Sequence, residues 1–111
     1  MRILVVLLAL LGADAAFANC PRPGAAPEVP NGSTADEAQM KQGRESIQAY
    51  VNQLEAYKAC LQGQVDQATA DTPDELKVTW LAQGDAALDA ANLLANRYSM
   101  ALKTFKERSS K

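Results

Sequence analysis

Histidine is absent from the 111 residues. With it go imidazole bases, Ser-His and Cys-His nucleophile pairs, His-ligated metals and axial-His haem, which together cover much of enzyme chemistry. Aromatic residues are scarce, at two Phe, one Trp and three Tyr, so a core must be built mainly from aliphatic side chains. There is no excess of positive charge: 11 Lys and Arg stand against 13 Asp and Glu, a formal net charge of -2, which lacks the basic footprint of a nucleic-acid binder. Glycine-rich phosphate loops and C-x-x-C redox motifs are missing as well. The length allows one small domain at most.

The longest apolar run opens the chain. Met1 to Ala18 begins with Arg2, continues through Ile3 to Leu11 and closes on Ala16-Phe17-Ala18, the A-x-A pattern that signal peptidase accepts. Residues 1–18 are therefore expected to be a signal peptide cleaved after Ala18, leaving a periplasmic or secreted protein. The run is shorter than the ~20 residues of a bilayer crossing, and Asp14 prevents its extension, so no transmembrane segment is expected in the mature chain. Asn19 stands where lipidation of Cys20 would demand a small residue, which argues against a lipoprotein. Cleavage removes one base, Arg2, and one acid, Asp14, and leaves the balance at -2. Two cysteines in an exported chain read most simply as one disulfide, and Cys20 to Cys60 is the intramolecular option. Were the source eukaryotic, Asn31-Gly32-Ser33 would be a glycosylation sequon.

Four of the five prolines (Pro21, Pro23, Pro27, Pro30) come soon after Cys20 and exclude a helix there, so residues 19–33 are expected to form an extended Pro-rich arm. Two helix starts lie beyond it. Thr34 with Glu37 reads as one capping box and Thr72 with Glu75 as another, with Pro73 at the first helical position. A helix over about 34–66 places Met40, Ile47, Leu54 and Leu61 seven apart, with Tyr50 and Tyr57 beside them. A second, over about 73–108, repeats the spacing with Trp80, Ala87, Leu94 and Ala101, flanked by Leu81, Leu88 and Leu102 and by Ala91, Tyr98 and Phe105, and residues 109–111 form a tail. Two seams with a short connection predict an all-α fold, an antiparallel, coiled-coil-like helical hairpin.

A turn centred near residue 70 pairs Tyr57 with Gly84, Tyr50 with Ala91 and Gly43 with Tyr98, large against small. The arm, about 43 Å long if extended, matches about 39 Å of helix between Thr34 and Cys60. Folded back, it would meet the stripe Ser46, Ala49, Gln53, Ala56 and Cys60, with the Gln53 amide either interrupting the groove or meeting an arm carbonyl. The alternative is a disordered leader with an intermolecular bond through Cys20.

A two-helix seam buries little, and Ala86, Ala90, Leu93 and Met100 widen the apolar arc of the second helix beyond what one partner helix covers. This flank is a candidate partner face, to be covered by the arm or by a second copy in a four-helix homodimer. Charge is segregated. Asp66, Asp71, Asp74 and Glu75 gather at the turn, while Arg97, Lys103, Lys106, Arg108 and Lys111 load the other end as candidates for contact with an anionic surface. The helix macrodipole alone also favours that distribution. Asp85 with Asp89, and Asp71 with Glu75, lack the ligand loop of a calcium site and read as solvated charge, so no metal, cofactor or catalytic residue is expected.

The arrangement Cys20-Pro21-Arg22-Pro23, then Pro27-Glu28-Val29-Pro30-Asn31-Gly32, then Met40, Tyr50, Tyr57 and Cys60-Leu61, resembles a pattern in small exported proteobacterial proteins of unknown function. These have a signal peptide, a C-x-x-P arm ending in P-x-G and a helix ending in Y-x-x-C. The resemblance spans about residues 20–61. It implies export, a helical hairpin and paired cysteines, and carries no catalytic residue to transfer. The expectation is a non-enzymatic protein acting by protein-protein contact, as an adaptor, small chaperone or envelope structural module. The alternative is a peripheral binder of anionic envelope lipid or polymer.

Overall fold

A computed structural model of the chain describes residues 20–110; the expected signal peptide and Lys111 lie outside them. Among the described residues the regular structure is two helices, α1 (Glu37–Asp66) and α2 (Asp74–Ser109), packed against each other as a helical hairpin with no strand. The heptad positions explain why. Met40, Ile47, Leu54 and Leu61 are all buried on one side of α1, with Tyr57 beside them. The buried side of α2 is built differently, from Gly84, Ala87, Ala91 and Leu94. Bulk from α1 thus fills space over small residues of α2, which lets the two backbones approach closely.

Both helix starts differ from the expected capping boxes. Asp36, not Thr34, caps α1: its carboxylate accepts from the Gln39 amide at 2.7 Å, and the Gln39 side chain accepts from the Asp36 amide at 2.9 Å. Thr34 is diverted by Asn31, whose carbonyl accepts from the amides of Thr34 and Ala35 at 3.1 and 2.8 Å. That turn sends Ala35 into the interior, and Ala35 and Met40, at the two positions of a hydrophobic staple, are both buried. Before α2, the Thr72 hydroxyl accepts from the Thr69 amide at 3.1 Å instead of capping the helix, and Pro73 is the N-cap rather than the first helical residue. Competition from local turns explains both shifts.

The glycine pairings also differ. A Cβ on Gly43 would stand 2.6 and 2.7 Å from Cγ and Cδ of Pro30, so its missing side chain makes room for the N-terminal segment and not for Tyr98. The Tyr98 hydroxyl instead donates to the Met40 carbonyl at 3.0 Å. At Gly84 the nearest atoms are Cγ of Lys58, at 3.3 Å, and Cδ1 of Leu61, at 3.9 Å, in place of Tyr57. Lys58 and Asp85 meet at 3.7 Å in the same stretch. The pairs Met40 with Tyr98, Lys58 with Asp85 and Ala35 with Arg108 keep the antiparallel register close to one centred at residue 70, so the glycine partners differ by which side chain reaches the gap.

Residues 20–30 carry no helix or strand and run beside α1. A disulfide joins Cys20 to Cys60 across a separation of 40 residues. Four residues on, the Tyr50 hydroxyl donates to the Gly24 carbonyl at 2.8 Å, a contact of the kind that is one of the two alternatives for the Gln53 amide. Pro30 then sits over Gly43, and Gly32 meets the backbone of Ala101 on α2, where any side chain would overlap the carbonyl. Of the stripe named for this segment, Ala49 takes no part; it lies on a separate polar surface with Arg44, Glu45, Gln48 and Asn52. The path follows Ser46, Gln53, Ala56 and Cys60 of that stripe together with Gly43, Tyr50 and Tyr57, which offer a missing side chain, a hydroxyl donor and an aromatic ring.

Candidate interaction surface

The small inner face of α2 has a counterpart outside. Six large hydrophobic side chains are exposed among the described residues, Leu76, Val78, Leu81, Leu88, Leu93 and Met100, and every one belongs to α2. Leu93 is 52% exposed and Met100 68%, while neighbouring seam positions Ala87, Ala91 and Leu94 are buried. A lone hairpin would gain by the opposite distribution, since burial stabilises by roughly 25 cal/mol per Å² of apolar surface. Helical spacing sorts four of these residues, together with Ala86, into two stripes, while Leu76 and Val78 in the first turns of α2 belong to neither. Ala86, Leu93 and Met100 each precede a seam residue (Ala87, Leu94, Ala101), and Leu81 and Leu88 each come just after one (Trp80, Ala87). They stand about 100° to either side of the seam.

The flank expected as a partner face, Ala86, Ala90, Leu93 and Met100, is exposed throughout. The N-terminal segment comes near it at one place. There Arg22 and Pro23, with Tyr50, Leu54, Tyr57, Gln83, Ala86 and Ala87, line a shallow cleft of about 300 Å³. A second hollow of about 420 Å³ lies on the other side of Arg22 and Pro23, against Gln53, Ala56 and Tyr57. Beyond Ala86 the stripe runs on uncovered.

Of the basic residues at the end of α2, Lys103 and Lys106 line one hollow with Ser99, Leu102 and Glu107. Arg108 is committed within the fold: its guanidinium donates to the Ala35 carbonyl and lies 5.3 Å from the centre of the Phe105 ring. Arg97, Lys103 and Lys106 are exposed, and Lys111 lies outside the described residues. Because the Ala35 contact sets the end of α2 beside the start of α1, Asp36 and Glu37 share that end of the molecule and offset part of its charge. At the turn, Asp74 pairs with Lys77 at 3.3 Å.

Among the described residues no cluster of acidic or cysteine side chains could hold a metal ion, and no helix is long and apolar enough to cross a membrane. No protein-family model, curated protein or solved structure matches the chain.

Proposed function

We propose that this is an exported, non-enzymatic helical hairpin that acts by protein-protein contact, as an adaptor, small chaperone or envelope structural module. The observation that carries the reading is that Leu81, Leu88, Leu93 and Met100 of α2 stay exposed while Gly84, Ala87, Ala91 and Leu94 are buried. Large apolar side chains left exposed on a small protein mark an association site. Export to the periplasm or beyond, after cleavage at Ala18, is part of the proposal. It is supported by the A-x-A pattern and by the Cys20–Cys60 bridge, which belongs in an oxidising compartment.

The test is association. The full chain with its bridge formed should prevent aggregation of an unfolded client protein or crosslink to itself or another protein, and Leu93→Glu should abolish this. A strictly monomeric chain that does neither would overturn the reading. The second reading, contact with anionic lipid or polymer, is favoured by the exposure of Arg97, Lys103 and Lys106. It predicts binding to anionic vesicles that collapses as salt rises, whereas apolar contact persists.

A further inference from the structure

We propose that the stripe Ala86, Leu93 and Met100 docks on the same stripe of a second copy of this chain, antiparallel, with Leu93 on the two-fold axis. This inference rests on the association reading above and names its partner. Its basis is self-complementarity about one residue. Ala86 and Met100 lie seven positions to either side of Leu93, so an antiparallel pair sets each small Ala86 level with Met100 of the second copy, and Leu93 level with its own copy. Large meets small twice, as in the hairpin's own core.

Charge is arranged about the same point. Asp85 and Asp89 precede Leu93, whereas Arg97 and Lys103 come after it, and Asp89 and Arg97 are each four positions away. An antiparallel pair therefore brings the acidic half of each stripe level with the basic half of the other, whereas a parallel pair would stack acid on acid and base on base. Antiparallel helices also oppose their dipoles. Further small residues on the face, Ala82 and Ala90, permit close approach of the two backbones.

The competing stripe is less suited to a second copy. Leu81 and Leu88 are less exposed than Leu93 and Met100. A face of this length, about 33 Å from Ala82 to Thr104, makes a small interface, so the dimer should be reversible and its mass should rise with concentration.

Single cysteines read the register directly. In the full chain, oxidised and with Cys20–Cys60 verified by peptide mapping, Leu93→Cys should form a covalent dimer through position 93. Ala86→Cys and Met100→Cys should each remain unlinked alone and become linked to each other when mixed, because only opposed positions come within bonding reach. Self-linking at all three positions would mean a parallel pair and would overturn the proposal, as would a monomeric native mass with Leu93→Cys unlinked. In that last case client aggregation assays separate the two claims. If Leu93→Glu still abolishes protection, the association reading stands with a foreign partner; if protection never depended on Leu93, both fall.

Discussion

Two glycines of α1 with the same sequence signature have opposite roles. Gly63 has open space where a Cβ would be, whereas Gly43 has Pro30 against it. Gly63→Ala should therefore stabilise the protein by about 0.5–1 kcal/mol, the ordinary helical advantage of alanine. Gly43→Ala should gain the same local advantage and still destabilise, by about 1–2 kcal/mol net, because the ring of Pro30 must move. Thermal melts of the two variants beside the parent chain check this, and equal shifts would mean that residues 20–30 do not hold the position described. Gly84 lies between these cases, since its nearest neighbour is the flexible stem of Lys58. The sequence shows that each glycine weakens a helix, but it cannot show which neighbour occupies the space. That depends on the path of residues 20–30 and on which side chain of the other helix reaches the gap.

At the scale of the element, the two helices were legible because a seven-residue repeat states its period several times over. Met40, Ile47, Leu54 and Leu61 are buried as their spacing requires. The ends were less legible, because a cap is decided by one or two hydrogen bonds and several residues compete for them. Thr34 and Asp36 both suit an N-cap, and the Asn31 turn assigns the role to Asp36. Asp36→Ala should accordingly cost about 1 kcal/mol and Thr34→Ala close to nothing, measured by chemical denaturation. The bridge was legible from cysteine count and compartment. In the chain-entropy picture, closing a loop of this length contributes about 4 kcal/mol. Cys60→Ser should lower stability by roughly that amount under oxidising conditions and change little in reductant, so an equal loss in both would assign Cys60 a packing role instead.

At the scale of the whole molecule, α2 leaves Leu81, Leu88, Leu93 and Met100 exposed while it buries Ala87, Ala91 and Leu94. The widened arc of α2 was visible in the sequence, but its meaning was not. Spacing alone left open whether the N-terminal segment would cover Leu93 and Met100, and in the fold that segment stays closer to α1, fastened at Cys60, Tyr50 and Gly43. The basic end of α2 was equally visible, yet Arg108 is engaged by Ala35 and Phe105, so any anionic contact rests on Arg97, Lys103 and Lys106. On that reading, Lys106→Gln should weaken vesicle binding and leave protein association unchanged, whereas Gln at Arg97 and Lys103, which also flank the docking stripe, should weaken both.

The most direct test of the central claim, that the outer face of α2 is an association surface, is sedimentation velocity on the bridged full chain beside its Leu93→Glu variant over a wide range of concentration. The parent chain should sediment faster as concentration rises and the variant should remain monomeric with an unchanged melting temperature, since Leu93 lies outside the hairpin core. A monomeric parent indistinguishable from the variant, with no other protein bound through that face, would contradict the account.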